Sequence, residues 1–190
     1  HYDYPFLYHL VQLKNKEDIK YVFNDIGGSF GLHFNAVQKC IPSIIDSWNI
    51  YEEKNTYQII KNFKHDPILY FHENVFKYNN CDILYCSGTL QYLDFKNPKE
   101  LIIACEKKPK YIFFNQLPLD INIDNNIYTL QNIFESVVIN TVFPKDKFIK
   151  SVESCGYQLI DEWNDFSAGC NIINGNYSLP HYTGQFYKLV

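Results

Sequence analysis

The sequence predicts an α/β fold with a mostly parallel sheet and a C-terminal antiparallel hairpin. Through residue 116, short apolar runs alternate with segments of helical periodicity, and this alternation is typical of parallel strands joined by crossover helices. Residues 157–163 and 185–190 also have strand character, but no helix of crossover length lies between them. The last two strands are therefore expected to be antiparallel.

Composition limits the class of protein. A length of 190 residues predicts a single domain over residues 1–190. The net charge of −4 provides no basic stripe for phosphates, so a nucleic-acid partner is not expected. The sequence contains neither an apolar run of the roughly 18 residues that a membrane span needs nor a signal peptide.

The six cysteines form no C-x-x-C pair, so neither a metal site nor a redox motif is expected. They are typical of small buried side chains in a reducing compartment, which favours a cytoplasmic location. The chain begins at His1 and contains no methionine, from which we expect a fragment of a longer protein.

The elements follow in order. Residues 1–18 are aromatic and amphipathic, and we interpret them as an N-terminal cap segment without an assigned element. Residues 117–141 are rich in asparagine and predict an irregular insertion that serves as a lid or acceptor-binding wall. The other predicted elements are strands at 19–24, 44–51, 68–71, 81–86 and 111–114, and helices at 30–41, 55–63, 97–105 and from 145 to Gly156.

A glycine-dense turn follows the first predicted strand. Asp25 is followed by glycines at 27, 28 and 31 with a serine at 29, and a segment with helical spacing comes next. Glycines let a ligand approach the backbone, and the start of a helix offers unpaired N–H groups. The spacing matches neither G-x-G-x-x-G nor a phosphate-binding P-loop. A plain strand-turn-helix junction is the alternative.

Polar residues end the next strands. Glu52 follows the second strand, residues 72–74 follow the third, and Ser87 with Gly88 follows the fourth. Ligands of open α/β sheets bind at the carboxyl ends of strands, where an acid can accept hydrogen bonds from ribose hydroxyls. The alternative for Glu52 is a solvated acid at a strand end.

Four segments resemble class I S-adenosylmethionine-dependent methyltransferases, in particular a bacterial group associated with surface-polysaccharide genes. They are Asp25–Gly31, Trp48–Glu52, Cys86–Leu93 and Phe148–Trp163. The resemblance implies a Rossmann-like class I methyltransferase fold, S-adenosylmethionine as cofactor, and a small-molecule or saccharide acceptor that is methylated on oxygen.

The resemblance also implies roles for individual residues. Asp25 would orient the cofactor, Glu52 would hold the ribose hydroxyls, and Ser29 replaces the middle glycine of the family's motif. The methionyl part of the cofactor would lie near Gly27, Gly28, Ser29 and Gly31. The adenine would be flanked by His72, Glu73 and Asn74, and the methyl-donor side would be lined by Ser87 and Gly88.

A hydroxyl acceptor also needs a base that takes its proton, and histidine suits this task at neutral pH. His181, His33 and Tyr92 are the candidate catalytic residues, and for each of them a packing or surface role is the alternative. Two other functions stay open: an NAD-dependent sugar-nucleotide oxidoreductase, and a catalytically silent binding or scaffold module with the same fold.

Overall fold

The computed structural model of the protein describes residues 3–63, 65–73, 77–95, 97–133, 136–172 and 177–190. Within these ranges the α-helices are α1 (Tyr4–Glu17), α2 (Leu32–Cys40), α3 (Lys54–Ile60), α4 (Pro98–Ile103) and α5 (Lys145–Glu153). The strands are β1 (Tyr21–Ile26), β2 (Ile45–Glu52), β3 (Leu69–Glu73), β4 (Ile83–Ser87), β5 (Tyr111–Leu117), β6 (Leu119–Asp120), β7 (Ile127–Ile133), β8 (Ser136–Pro144), β9 (Tyr157–Asp165), β10 (Cys170–Ile172), β11 (Tyr177–Leu179) and β12 (Tyr182–Leu189).

The chain divides into two compact units. The first unit comprises His1–Cys86 and Ala104–Phe113, and the second comprises Ser87–Ile103 and Phe114–Val190. Strand β5 contributes residues to both. The single domain predicted from chain length stays a prediction. None of the helices in the described ranges is long and apolar enough to cross a membrane.

The sheet of the first unit has the order β3-β2-β1-β4-β5. Strand β1 is parallel to β2 on one side and to β4 on the other, and β3 is parallel to β2. This confirms the predicted α/β fold with a mostly parallel sheet. Because the sheet is covered by helices, its strands are largely apolar, and Phe23 stacks on Trp48 with ring centroids 4.4 Å apart.

The bounds of the first strand differ from the prediction. Strand β1 covers Tyr21–Ile26 rather than residues 19–24, so Asp25 lies inside the strand instead of after it. Aspartate is depleted in strands, but here the Trp48 indole N–H donates a hydrogen bond to the Asp25 carboxylate at 3.2 Å. This tertiary contact explains why the strand continues past the position that local propensity predicted.

Residues 1–18, for which no element was predicted, contain helix α1. The Asp3 carboxylate caps it by accepting a hydrogen bond from the Phe6 backbone N–H at 3.2 Å. Phe6 then stacks on Tyr85 of β4, with ring centroids 4.1 Å apart, and meets the edge of Phe113 at 4.9 Å. The helix therefore covers β4 and the first residues of β5.

In the second unit the order is β5-β12-β9, and β12 is antiparallel to β9. The predicted C-terminal antiparallel pair is confirmed, although both strands are longer than predicted. Gly184 explains the longer β12, because a Cβ at this position would lie 2.0 Å from Trp163 Cε2. The absence of a side chain lets the indole ring of β9 cross the neighbouring strand.

The prediction of an irregular structure at 117–141 is wrong. Strands β7 and β8 form a regular antiparallel hairpin, in which Leu130 pairs with Ile139, and β6 pairs with β8 in parallel. Asparagine is depleted in strands, but the β-branched residues of this segment favour them, and cross-strand packing outweighs the local preference. The predicted role as a lid or acceptor-binding wall stays a prediction.

Candidate functional site

The glycine turn lies in the first unit, between β1 and α2. The Gly27 N–H donates to the Tyr51 carbonyl at 2.9 Å, and the Gly31 N–H donates to the Gly28 carbonyl at 3.0 Å. Gly31 has a φ of 79° and precedes α2, whose start has no side-chain cap. The turn thus leads into the uncapped N-terminus of a nine-residue helix, and such a terminus attracts negatively charged groups.

The Asp25 carboxylate lies directly beneath this turn. It is 0% exposed, and a Cβ on Gly28 would lie 2.5 Å from both Asp25 Cγ and Asp25 Oδ2. Only glycine fits at position 28 without displacing the acid. Asp25 Oδ1 has no hydrogen-bond partner among the described residues, so the site contains a buried acceptor that a ligand or an ordered water could satisfy.

His33, at the start of α2, faces the same carboxylate. Its Nδ1 lies 3.5 Å from Asp25 Oδ2, and its ring meets Tyr85 edge to face at 4.7 Å. Burial disfavours the charged imidazolium, but the nearby Asp25 and the more distant Asp3 outweigh burial and raise the pKa of His33. The Tyr85 hydroxyl donates to Asp3 at 2.9 Å, which connects α1 to this cluster.

Glu52 is the last residue of β2 and lies on the other side of the turn. Its Oε1 accepts a hydrogen bond from the Ser29 N–H at 2.5 Å, and the residue is 8% exposed. Burial raises the pKa of the Glu52 carboxyl, and the Ser29 N–H opposes this shift without cancelling it. The structure therefore brings Asp25, the turn and Glu52 together, as the sequence predicted.

Two of the residues predicted to flank an adenine, His72 and Glu73, lie on β3, the strand next to β2. His72 pairs with Tyr51 in the register of β2 and β3, stacks on its ring at 4.7 Å, and has Nε2 2.9 Å from Asn49 Oδ1. Since neighbouring residues of a strand point to opposite faces, His72 lies on the face opposite Glu52. Burial lowers the pKa of His72.

Glu73 lies on the same sheet face as Glu52, with which it pairs in register. It is exposed, and its Oε2 accepts a hydrogen bond from Gln58 Nε2 at 3.0 Å. Asn74 lies outside the described residues. The adenine contacts of His72, Glu73 and Asn74 stay predictions.

Ser87, Gly88 and Tyr92 belong to the second unit. The Ser87 carbonyl accepts from Thr89 Oγ1 at 3.1 Å. Gly88 has a φ of 61°, and its N–H donates to the Asn115 carbonyl at 2.9 Å. These contacts form a tight turn after β4, which explains the glycine, while a role of these residues beside a methyl donor stays a prediction.

The two other candidate catalytic residues have different surroundings within the second unit. The Tyr92 hydroxyl donates to Gln131 Oε1 at 3.0 Å, and burial raises the pKa of Tyr92, which makes the phenol a hydrogen-bond donor rather than a base. His181 precedes β12 and lies beside the ring of Phe166, with centroids 5.2 Å apart.

Sequence reasoning missed three partners of Asp25 and His33, namely Trp48, Tyr85 and Asp3. A usable signal existed for Trp48. It precedes Glu52 by four residues on a strand, so both side chains point to the same face, which is the face that Asp25 shares. Among the described residues, no group of three His, Cys, Asp or Glu side chains is arranged to hold a metal ion.

The fold is shared with solved methyltransferase structures. A candidate S-adenosylmethionine-dependent methyltransferase from Listeria monocytogenes matches with a TM-score of 0.65 and 10% identity, over 97% of this chain and 98% of that one. The glycopeptide N-methyltransferase MtfA, in complex with S-adenosylhomocysteine, matches with a TM-score of 0.60 and 8% identity, over 96% of this chain and 89% of that one.

A third protein, described as a pericyclic reaction enzyme, matches with a TM-score of 0.58 and 10% identity, over 97% of this chain and 47% of that one. No protein-family model matches the sequence, and no curated protein matches it. At these identities the likeness establishes the fold, which is the Rossmann-like class I methyltransferase fold.

Proposed function

We propose that this protein is an S-adenosylmethionine-dependent methyltransferase that acts on a small molecule or saccharide, with a hydroxyl oxygen as the methyl acceptor. One observation carries the proposal. The turn after β1 lies between the buried Asp25 carboxylate and Glu52, which accepts a hydrogen bond from the Ser29 N–H. Solved structures of the same fold include one bound to S-adenosylhomocysteine, the product of methyl transfer.

The residues of this turn fit the chemical groups of the cofactor. Its carboxylate suits the uncapped start of α2, and its ribose hydroxyls suit Glu52, whose second oxygen can accept hydrogen bonds beside the one from Ser29. Asp25 Oδ1, as a buried acceptor, would orient the methionyl part through water. The cofactor can come close to the backbone of the turn because its residues are small, namely Gly27, Gly28, Ser29 and Gly31. For Ser87 and Gly88, the role on the methyl-donor side stays a prediction from the sequence.

The bound cofactor supplies a methyl group on a positively charged sulfur, which makes the methyl carbon electrophilic. An acceptor hydroxyl that takes up this methyl group would give its proton to a base. The protein therefore has to align the acceptor and exclude water. His181 is the candidate for the base, Tyr92 for positioning the acceptor, and His33 for fixing the turn through Asp25.

Calorimetric titration of the full chain tests the cofactor assignment. S-adenosylmethionine and S-adenosylhomocysteine should bind with micromolar affinity and NAD should not. Gly28→Val should abolish binding, while the control Asn132→Ala, at an exposed residue of β7 outside the turn, should leave binding unchanged. Binding of NAD alone would favour the oxidoreductase alternative and overturn the proposal.

Turnover has to be measured separately, because a pericyclic reaction enzyme has the same fold and fold does not determine chemistry. Transfer of a labelled methyl group to an alcohol or sugar acceptor would support the proposal. Cofactor binding without transfer to any acceptor tested would favour the silent binding module.

A further inference from the structure

A cavity of about 470 Å³ lies within the second unit. It is lined by residues 128–131 of β7, Asn140 of β8, residues 169–172 around β10, and Tyr182 of β12. This volume falls in the range of small-molecule binding sites, and it is large enough for one or two sugar rings.

The residues that line this cavity in the described part of the chain are uncharged. None of its described residues is an Asp, Glu, Lys, Arg or His, and its polar side chains include the amides of Gln131, Asn140 and Asn171 and the hydroxyl of Thr129. Phosphates and carboxylates are bound by cationic side chains or aligned backbone N–H groups. A nucleotide, a phosphosugar or an amino acid therefore finds no counter-charge among these lining residues, whereas neutral hydroxyls find amides that both donate and accept.

The amides of this cavity are held in place. Gln131 Oε1 accepts from the Tyr92 hydroxyl at 3.0 Å, and Asn171 Oδ1 accepts from Ser178 Oγ at 2.6 Å. In both side chains the oxygen is engaged, so the NH₂ group is the end offered to a ligand. Two donors are thereby preorganised, which reduces the entropy lost on binding.

Asn140 provides independent support for a ligand in this cavity, because its side-chain oxygen lacks a hydrogen-bond donor among the described residues. It is 1% exposed, and its Nδ2 donates to Thr129 Oγ1 at 3.4 Å. Its Oδ1 has no hydrogen-bond partner among the described residues, although buried side-chain oxygens are rarely left unpaired. A ligand hydroxyl can donate to such an oxygen, either directly or through an ordered water.

Aromatic side chains complete the lining. Tyr128 is 63% exposed at the edge of the cavity, and Tyr182 is buried within it. A tyrosine ring offers an apolar face and a polar tip, and the C–H face of a sugar ring packs on such a surface while its hydroxyls reach polar groups. Tyrosines beside uncharged amides thus suit a ring that is apolar on its faces and polar at its edge.

We propose that this cavity binds a neutral, polyhydroxylated molecule of the size of a mono- or disaccharide, oriented by Gln131, Asn140 and Asn171. The inference deepens the proposed function and rests on it in one respect: a hydroxyl of this ligand is the methyl acceptor. Binding of the ligand itself does not require that the chain transfers a methyl group.

The test uses saturation-transfer and chemical-shift NMR on the full chain, with and without S-adenosylhomocysteine. The probes are glucose, galactose, maltose and lactose, together with glucuronate and glucose 6-phosphate as charged counterparts. Neutral sugars should bind, and the charged ones should bind at least about tenfold more weakly, because their charges lose hydration without gaining a counter-charge.

Two variants locate the site. Gln131→Ala and Asn171→Ala should each weaken sugar binding about tenfold, while Asn132→Ala, an exposed amide on the same strand outside the cavity, should leave it unchanged. Asn171 is exposed, so its truncation tests the site even if Gln131→Ala perturbs folding. Equal binding of charged and neutral sugars, absence of sugar binding, or equal losses in all three variants would each overturn the proposal.

The two proposals fail separately. If S-adenosylhomocysteine binds and no sugar does, the cavity proposal is wrong and the cofactor proposal stands. If sugars bind and S-adenosylhomocysteine does not, the cavity is a sugar site, but the acceptor role and the proposed function are lost.

Discussion

Replacing Gly28 by alanine is the sharpest test of the turn. The added Cβ would lie 2.5 Å from Asp25 Cγ and Oδ2, a distance at which atoms must move. Asp25 cannot retreat cheaply, because its carboxylate is 0% exposed and accepts the Trp48 N–H. Gly28 is not among the residues with positive φ, so alanine adds no backbone strain there and the whole effect is steric.

The expected size follows from this geometry. Overpacking of a buried site costs about 1–3 kcal/mol, and the free energy of unfolding should decrease by this amount. If the turn shifts instead of the acid, the same energy appears as an approximately 5- to 150-fold loss of cofactor affinity. Urea unfolding and calorimetry together measure both contributions.

A double-mutant cycle with Asp25→Ala separates steric overlap from a general loss of flexibility. Removing the carboxylate removes the clashing atoms, so Gly28→Ala should cost about 1–3 kcal/mol less in the Asp25→Ala background. Gly31→Ala is the control, because its cost comes from a φ of 79° and its nearest neighbour is Leu69 Cδ2 at 3.3 Å, neither of which depends on Asp25. Equal costs of Gly28→Ala in both backgrounds would refute the reasoning.

Three further predictions concern single residues. Glu52→Gln keeps an acceptor for the Ser29 N–H but removes a buried carboxylate whose pKa is raised by burial. Calorimetry should show cofactor binding weakened by about 1–3 kcal/mol, while urea unfolding at pH 7 should show a higher free energy of unfolding. A loss of both affinity and stability would contradict the ribose role. The raised pKa of His33 means that its contribution is complete below the ordinary value of 6.5 and is lost as pH rises through the folded-state value. Unfolding free energies should therefore fall with pH in the wild type relative to His33→Gln, and identical pH profiles would exclude the pairing. Gly184→Ala should cost about 3 kcal/mol because its Cβ would overlap the Trp163 ring, and an unchanged denaturation midpoint would rule out that packing.

Much of the fold could be predicted because most elements carry a strong local pattern. Continuous apolar runs identified the parallel strands, and the spacing of Phe148 and Val152 identified α5. Helix α1 was missed although Phe6, Leu10 and Leu13 are buried on one face. The aromatic rings of Tyr4 and Tyr8 are exposed, but an analysis of hydrophobic periodicity counts them as core residues. Counting them obscured the helical spacing of the buried residues.

The hairpin of β7 and β8 shows a second limit. Its strands expose large apolar side chains such as Leu130 and Ile139, so the alternation between an apolar core face and a polar solvent face is absent. Without that alternation, the high asparagine content led to the prediction of an irregular segment. The pairing of the two strands stabilises the hairpin, and pairing cannot be deduced from either strand alone.

Within the site, the residues that end a strand were easier to predict than the face of the sheet on which a given side chain lies. The location of Glu52 at the end of β2 could be predicted, since the carboxyl ends of parallel strands share one edge of the sheet, while its role as a ribose ligand stays a prediction. The face occupied by His72 depends on its register with Tyr51 and Glu52. A shift of one residue would move it to the other face, and nothing in the local sequence of β3 specifies that register.

The contacts of Asp25 also explain which glycines the turn can lose. Ser29 has a φ of 51°, a conformation that costs a non-glycine residue about 1 kcal/mol, but its N–H is engaged with Glu52. At position 28 the restriction is the carboxylate itself, and no hydrogen bond can compensate for atoms that overlap. A serine is therefore tolerated at 29, where conformation is the only constraint, whereas position 28 requires glycine for as long as position 25 carries an acid.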